Sequence, residues 1–202
     1  MVGIFNYIRD FKISFEDKCI RLFAEAYNQS IKNKSIQLDF MENDITEILR
    51  TNIINNPQKN RWRIHVDREA IISDTNITAT KGFANKLKRV DLIMETYTSS
   101  ISHICSIEAK NLKEKDSALK RRYIDTGIIN FVTKKYPYGF LVGYLLGGTV
   151  KPTIDGINKL FESDGKEKEM LHKKNHKIVQ YYYESNHSEL CLKHLIFDFT
   201  ML

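Results

Sequence analysis

The chain has 202 residues, of which 42% are hydrophobic and 28% charged, with nine Gly and three Pro. This length suits one domain, and this composition excludes a disordered or fibrous chain. The longest nearly apolar run, 138–148, is far shorter than the roughly 20 residues of a membrane helix, so we expect no transmembrane span.

The N-terminus and the cysteines indicate the compartment. The first twelve residues contain no basic segment followed by an apolar one and no small-residue cleavage site, so we do not expect secretion. Cys19, Cys105 and Cys191 are odd in number and widely spaced, which argues against a disulfide framework and against a metal-binding CxxC pair. A reducing cytoplasm is the expected location.

The positive charge is concentrated in the middle of the chain. Lys and Arg together number 31 and Asp and Glu 25, which gives +6. Residues 81–151 hold 13 basic and 6 acidic residues, a net +7, and the remainder is almost neutral. Such a segment is typical of a polyanion-binding surface, but it is equally typical of a solvated basic face, and charge alone does not decide between them.

The first half of the chain predicts two helices and a strand. Apolar periodicity predicts a helix at 13–30 capped by Ser14, and a second helix from about Asp39 to Ile53. Alternation from Arg61 to Val66 predicts a half-buried strand. The polar residues 73–88 are interpreted as a surface loop.

A hairpin and a long helix follow. Val90 to Tyr97 and Ile101 to Ala109 are β-rich runs separated by a short polar turn. Helical spacing then extends from about Lys113 to Tyr136, where Pro137 stops it. Gly127 lies inside this helix, and close packing of the helix on the sheet is the favoured explanation.

The C-terminal part completes one α/β domain, 1–202, with a mixed β-sheet flanked by helices. Its predicted elements are a central strand at 139–146, a helix at 152–161, and strands at 178–183 and 190–200.

The hairpin carries the strongest chemical signal. Glu108 and Lys110 are two residues apart on a strand, so their side chains leave the same face of the sheet. If the hairpin is symmetric about its Ser99–Ser100 turn, Asp91 lies directly opposite Glu108. Two carboxylates so placed can share a hard cation, and the Lys adds a positive charge beside it. We expect all three side chains to be partly exposed at the strand end.

Spacing alone does not establish this site. The same acid-x-Lys spacing occurs at Asp10–Lys12, Glu16–Lys18 and Asp164–Lys166. The first two lie at or in a predicted helix and the third in a charged loop, so only the hairpin pairs the acid with an upstream Asp. The alternative interpretation is a surface ion pair between Glu108 and Lys110.

Asp91, Glu108, Ala109 and Lys110, together with the order helix, three strands, helix, strand, resemble the PD-(D/E)xK nuclease superfamily with its restriction-endonuclease-like fold. The resemblance covers a core of about 39–146, with the N-terminal helix at 13–30 and residues 152–200 as additions. Val90 stands where the name-giving Pro would be.

The resemblance implies roles for individual residues. Asp91, Glu108 and the backbone carbonyl of Ala109 would bind Mg²⁺, with Mn²⁺ as a substitute, and Lys110 would position the attacking water. Family members often add a Glu from the preceding helix, for which Glu42 is the first choice here and Glu47 the second.

The resemblance also implies a function. Residues 121–148 look like small defence-associated bacterial nucleases. The expected activity is therefore Mg²⁺-dependent endonucleolytic hydrolysis of DNA by the effector of an anti-phage defence system. The alternatives are cleavage of RNA, or a catalytically silent nuclease fold that binds nucleic acid or a partner protein.

Nucleic-acid contacts and partners are expected as follows. Basic residues on both sides of the hairpin could contact phosphates, and they are Lys86, Lys88, Arg89, Arg121, Arg122, Lys134 and Lys135. Arg121 could instead pair with Asp125 one helical turn later. Neither GxxxxGK[ST] nor GxGxxG occurs in the sequence, so an ATP-driven step would need a separate ATPase, helicase or sensor subunit; a homodimer is the other expected assembly.

One further motif is set aside. His172 and His176 are four residues apart and could share a helix face, but the Glu of HExxH is absent and Lys residues surround them. We interpret this pair as part of a solvated face rather than as a zinc site.

Overall fold

A mixed β-sheet of seven strands runs through the computed structural model, which describes residues 2–71, 89–97, 102–136 and 138–201. The strand order is β1-β2-β3-β4-β7-β6-β5; β4 is parallel to both of its neighbours and the other pairs are antiparallel. The strands are β1 Ile64–Ile71, β2 Arg89–Tyr97, β3 Ser102–Leu112, β4 Gly139–Leu145, β5 His172–Lys174, β6 Tyr182–His187 and β7 Leu190–Asp198.

Helices cover both faces of the sheet. They are α1 Val2–Asn33, α2 Glu42–Ile54, α3 Pro57–Arg61, α4 Ser117–Arg122, a π-helical segment Tyr123–Ile128, α5 Ile129–Val132, α6 Val150–Ser163 and a 3₁₀ turn Glu167–Glu169.

Two hydrophobic clusters hold the layers together. Phe23 of α1 and Leu49 of α2 belong to the cluster on one face of the sheet. Tyr123 of the π-helical segment and Ile157 of α6 belong to the cluster on the other. β4 contributes to both clusters, as its apolar residues at both parities predicted, so it is a central strand within a single mixed α/β domain.

The first two helices differ from their predicted bounds. α1 extends from Val2 to Asn33, so the prediction that Ser14 caps it is wrong and Ser14 lies within the helix. α2 begins at Glu42 rather than at Asp39. The Asp44 side chain accepts a hydrogen bond from the backbone N–H of Met41 at 3.0 Å, which stabilises the N-terminus of α2.

The first strand begins later than predicted. Asn56 accepts a hydrogen bond from the backbone N–H of Gln58 at 2.9 Å and caps the short helix α3, which occupies Pro57–Arg61. The alternating pattern therefore becomes a strand only from Ile64. The predicted loop at 73–88 lies outside the described residues.

The long predicted helix at 113–136 is shorter and divided. β3 continues to Leu112, and the Asp116 side chain then caps α4 by accepting from the N–H of Leu119 at 3.0 Å. A π-helical segment at Tyr123–Ile128 separates α4 from α5, which ends at Val132. Pro137 lies outside the described residues, and α5 has already ended before it.

The last elements are also shifted. The predicted helix at 152–161 extends over Val150–Ser163, and the predicted strand at 178–183 instead occupies Tyr182–His187. Among the described residues, every helix is too short or too polar to span a bilayer.

Candidate functional site

The hairpin of β2 and β3 has the predicted register. Leu92 lies opposite Ile107 and Tyr97 opposite Ser102, as symmetry about the Ser99–Ser100 turn requires. Counted from the turn, the last backbone pair is Leu92 with Ile107, and Asp91 lies one residue beyond it. There the Asp91 carboxylate accepts the N–H of Ala109 at 2.7 Å. Asp91 is thus attached to β3 by its side chain.

The Lys110 side chain contacts the other predicted site residues. Its Nζ lies 2.8 Å from Oε1 of Glu108 and 2.7 Å from the carbonyl oxygen of Ala109. The same nitrogen is 3.2 Å from Oε1 of Glu42 and 3.8 Å from Oδ2 of Asp91. The structure therefore brings the other four predicted groups of the site around the Lys110 ammonium.

Glu42 reaches the cluster from the start of α2. Its Oε1 also accepts from Nη2 of Arg122 at 2.9 Å, and its Oε2 accepts from the backbone N–H of Asn111 at 3.0 Å. Glu47, the second choice, instead pairs with Arg50 and Arg68, each at 3.1 Å. The acid that the helix supplies to this cluster is Glu42.

The expectation of partial exposure is correct for Asp91 and wrong for the other two residues. The Asp91 side chain is 24% exposed, whereas those of Glu108 and Lys110 are 7% and 5% exposed. The cause is the π-helical segment, which packs directly on the strand. A Cβ added to Gly127 would lie 3.1 Å from both Cδ atoms of Leu141 and 3.5 Å from Cγ of Lys110, so the absence of a side chain at Gly127 lets the segment pack closely on β4 beside Lys110.

Burial and neighbouring charges shift the pKa values of these groups. Burial raises the pKa of Asp91, and burial followed by the Asp91 charge raises that of Glu108. Burial by itself lowers the pKa of Lys110, but Glu108, Asp91 and Glu42 outweigh it, so this pKa is raised above its usual value. Lys110 consequently remains an ammonium at neutral pH.

One carboxylate oxygen of Glu108 is unsatisfied. Within the described part of the chain, Oε2 is buried and has no hydrogen-bond partner. The Tyr136 hydroxyl lies near Glu108, but it donates its hydrogen to the carbonyl oxygen of Arg89 at 2.8 Å. An unsatisfied buried oxygen is costly unless something binds it.

The donor set fits Mg²⁺ or Mn²⁺. Asp91, Glu108 and the Ala109 carbonyl offer oxygen ligands, which hard divalent cations prefer, and the unsatisfied oxygen of Glu108 can serve as one. These are the residues that would hold the ion, with Glu42 as a further acid beside them. Such an ion would compete with the Lys110 ammonium for Glu108 and for the Ala109 carbonyl.

The structure describes five of the seven basic residues that were predicted to contact nucleic acid. Arg121 pairs with Asp164, Nη2 to Oδ1 at 3.1 Å, and lies 4.0 Å from Asp125, the partner considered from the sequence. Arg122 pairs with Glu42 and is the member of this set that contacts the site.

The remaining basic residues are distributed as follows. Arg89, at the start of β2, and Lys134 are exposed, while Nζ of Lys135 lies 5.1 Å above the ring centre of Tyr136. Lys86 and Lys88 lie outside the described residues. Contact of these residues with nucleic acid stays a prediction.

A second group of possible ligands was not predicted. His65 of β1 lies opposite Glu95 of β2, and with Asp67 their ligand atoms all fall within 4.8 Å of one another. Alternation on β1 could have indicated His65 and Asp67, but Glu95 joins them only through the pairing of β1 with β2. The His65 and Asp67 side chains are 60% and 54% exposed and lie 3.2 Å apart, Nε2 to Oδ2, so they are open to solvent and do not need an ion.

Other acid and histidine motifs have structural roles. Glu16, from one of the alternative acid-x-Lys spacings, is buried and pairs with Lys193. His172 lies on β5 and His176 follows it outside any helix, so the two do not share a helix face. Nδ1 of His176 accepts from the backbone N–H of Val179 at 3.2 Å, and its ring stacks on Tyr182.

Comparisons with family models, with curated proteins and with solved structures give no match to this chain. The resemblance to the PD-(D/E)xK superfamily therefore depends on the site residues and on the element order alone.

Proposed function

We propose that this chain is a Mg²⁺-dependent endonuclease that hydrolyses phosphodiester bonds in DNA, with a restriction-endonuclease-like fold and a role as effector in bacterial anti-phage defence. The observation that carries the proposal is the meeting of Glu42, Asp91, Glu108 and Lys110 in one buried cluster, with an oxygen of Glu108 left unsatisfied. Pure packing does not require three acids and a Lys at one point.

Each group has a role in this proposal. Asp91, Glu108 and the Ala109 carbonyl would hold the ion, which would supply positive charge for the phosphate in the transition state. Lys110, charged at neutral pH and anchored by Glu108, would donate a hydrogen bond to the phosphate or to the attacking water. Glu42, fixed by Arg122 and by the N–H of Asn111, would position Lys110.

A second candidate is a catalytically silent nuclease fold that binds nucleic acid or a partner protein. One observation favours it: the Lys110 ammonium already contacts Glu108, Glu42 and the Ala109 carbonyl, so the cluster is largely neutralised by its own residues. Cleavage of RNA remains the alternative reaction for the active candidate.

The two candidates differ in their dependence on metal. Supercoiled plasmid and a labelled RNA are incubated with the protein in Mg²⁺, Mn²⁺, Ca²⁺ or excess EDTA. We expect nicking of the plasmid in Mg²⁺ and Mn²⁺, binding without much turnover in Ca²⁺ because it coordinates more loosely, and no cleavage in EDTA. Unchanged cleavage in EDTA would exclude the mechanism, and metal-independent DNA binding without cleavage would favour the silent fold.

Variants assign the activity to the cluster. Asp91→Asn, Glu108→Gln and Lys110→Met should each lower cleavage by orders of magnitude. Asp10→Asn is the matched control, since Asp10 has the same spacing to a Lys but lies exposed on α1. Near-normal cleavage by Asp91→Asn would refute the assignment.

A further inference from the structure

A chain of four hydrogen bonds runs through the interior on the α6 side of the sheet. The Glu169 carboxylate lies 3.0 Å from Nδ1 of His187, and Nε2 of His187 lies 2.7 Å from Oγ of Ser185. Ser185 is 2.7 Å from Nε2 of His194, whose Nδ1 is 2.9 Å from the hydroxyl of Tyr123. The 3₁₀ turn, β6, β7 and the π-helical segment are thereby connected.

The chain does not form a hydrolytic site. Glu169, His187 and Ser185 have the order and contacts of an acid, a base and a nucleophile. Ser185 is however fully buried, with an exposure of 0%. A substrate cannot reach its hydroxyl, so a different role is needed.

The acceptor at one end fixes the direction of all four bonds. An ionised Glu169 can only accept, so His187 carries a hydrogen on Nδ1, and a neutral His187 then accepts at Nε2 from the Ser185 hydroxyl. Ser185 then accepts from an Nε2–H of His194, which leaves Nδ1 of His194 to accept from Tyr123. When both histidines are neutral, they must therefore be opposite tautomers.

Tyr123 connects the chain to the candidate site. It is the first residue of the π-helical segment, directly after Arg122, whose guanidinium holds Glu42. The same segment packs Gly127 against Lys110. The hydroxyl of this fully buried Tyr makes its hydrogen bond to His194, so this bond fixes where the segment begins.

We propose that Glu169, His187, Ser185 and His194 form a polarised hydrogen-bond relay that positions Tyr123 and, through the π-helical segment, holds Arg122 on Glu42. The relay residues act by positioning, since the contacts that join them to the site run through Tyr123. The effect of the relay on catalysis rests on the function proposed above, whereas the predicted tautomers of the two histidines are independent of it.

Protonation of His187 would reverse the direction of the hydrogen bonds beyond it. Its Nε2–H would donate to Ser185, Ser185 would donate to His194, and His194 would donate to Tyr123. The hydroxyl hydrogen of Tyr123 would then be buried without its present acceptor. The groups facing His187 are Glu169, Lys166 and the ring of Phe161, and those facing His194 are Ser185, Tyr123 and His187. Burial lowers the pKa of His187 although Glu169 raises it, so the neutral arrangement persists at neutral pH.

The tautomers are measured by NMR of the full chain labelled with ¹⁵N-histidine at neutral pH. We expect His187 to carry its hydrogen on Nδ1 and His194 on Nε2. Glu169→Gln should preserve both tautomers because its amide oxygen still accepts. In Glu169→Ala each histidine should populate both tautomers. The matched control Glu167→Ala removes an exposed acid from the same 3₁₀ turn. His187 hydrogenated on Nε2, or tautomers unchanged in Glu169→Ala, would overturn the relay.

Cleavage by the same variants tests the link to the site. For Glu169→Ala we expect kcat to fall about tenfold, as for loss of a supporting hydrogen bond near a metal site, with an unchanged KM for plasmid. Glu169→Gln and Glu167→Ala should remain near wild type. If the tautomers respond but Glu169→Ala cleaves like Glu167→Ala, the positioning role is wrong. Correct tautomers in a protein without any nuclease activity would refute the proposed function and leave the relay itself supported.

Discussion

The charges around Lys110 nearly balance one another, and the proposed function depends on this balance. Glu42, Asp91 and Glu108 face the ammonium of Lys110 and the guanidinium of Arg122, so the five groups together carry one negative charge when all are ionised. A divalent cation would reverse this to one positive charge, which matches a phosphodiester. In the proposed function the cluster is neutralised mainly by its own residues and would become a phosphate site only when an ion is bound.

Lys110→Met tests this charge balance. Met keeps most of the volume but leaves buried carboxylates without their central cation, so we expect the free energy of unfolding in EDTA at neutral pH to fall by about 3–5 kcal/mol. Mg²⁺ or Ca²⁺ should restore much of the loss by binding the folded state. Urea unfolding with and without the ion provides the measurement.

The control for this substitution is Lys113→Met, which removes an exposed Lys from the segment following β3. It should unfold like the wild type in both conditions. A stable Lys110→Met protein in EDTA would show that the carboxylates do not need the Lys110 charge. A variant that divalent ions do not stabilise would show that the carboxylates do not form a cation site.

His194 makes stability depend on pH. Burial, assisted by His187, lowers the pKa of His194 to about 3. Its unfolded pKa is about 6.5, so the unfolded chain takes up the proton first, and stability is lost as pH falls below that value. We expect His194 to account for a loss of about 2 kcal/mol between pH 7.5 and pH 5.

Urea unfolding at both pH values, for wild type and His194→Gln, measures this contribution. The variant should lose less stability between the two pH values by that amount, whatever its stability at pH 7.5. His172→Gln, which alters an exposed His on β5, should retain the full wild-type dependence. An equal pH dependence in wild type and His194→Gln would contradict a buried neutral imidazole.

Part of the site could be predicted from the sequence and part could not. Asp91, Glu108 and Lys110 lie on one hairpin, so the parity of the strands and the symmetry of the turn place them together. Arg122 is 80 residues from Glu42, and no periodicity connects them. The burial of Lys110 likewise depends on how a later helix packs, which spacing on β3 cannot indicate.

At the scale of elements, three neighbours of β4 pack closely around Gly143. A Cβ added to Gly143 of β4 would lie 2.6 Å from Cδ1 of Leu112, 2.8 Å from Cδ1 of Ile196 and 3.4 Å from the ring of Tyr123. At position 143, β4 therefore has no room for a side chain on this face. The sequence showed a Gly in an apolar strand, but the neighbours that require it come from three other elements.

Gly143→Ala should consequently overpack the core. We expect a loss of about 1–3 kcal/mol in the free energy of unfolding, because buried side chains must move to admit the methyl group. Gly147→Ala is the matched control, since its nearest neighbour would be Cγ of Lys113 at 3.6 Å, an ordinary contact. Thermal and urea unfolding compare the two, and equal stability of both variants would contradict this packing.

The periodicity of apolar residues predicted the presence of the helices and strands more accurately than their ends. The hairpin and β4 were placed within a few residues because their apolar patterns end at turns. The helix at 113–136 was predicted as one element because its apolar residues continue across the π-helical segment, whose extra residue per turn depends on the packing of Tyr123 and Gly127 rather than on a sequence signal.

At the scale of the whole molecule, the basic segment has to be reconciled with its ion pairs. The net +7 of residues 81–151 includes Arg121 and Arg122, yet each already pairs with an acid, Asp164 and Glu42 respectively. Both arginines retain considerable exposure, 36% and 50% of the side chain, so phosphate could replace these partners. Cutting both strands of a duplex would additionally require a second copy or a partner subunit.

The salt dependence of DNA binding shows whether this exchange occurs. Each phosphate contact releases counterions, so Arg121→Ala with Arg122→Ala should reduce the slope of log affinity against log salt by roughly 0.7 to 0.9 per lost contact and weaken all sequences about equally. Binding is measured by fluorescence anisotropy in Ca²⁺ to prevent turnover. The double variant Lys12→Ala with Lys32→Ala removes two exposed charges from α1, outside the basic segment, and should retain the wild-type slope. Because the acids already neutralise both arginines, a folded arginine double variant with an unchanged slope would mean that they stay paired with Asp164 and Glu42, and that DNA follows a different surface.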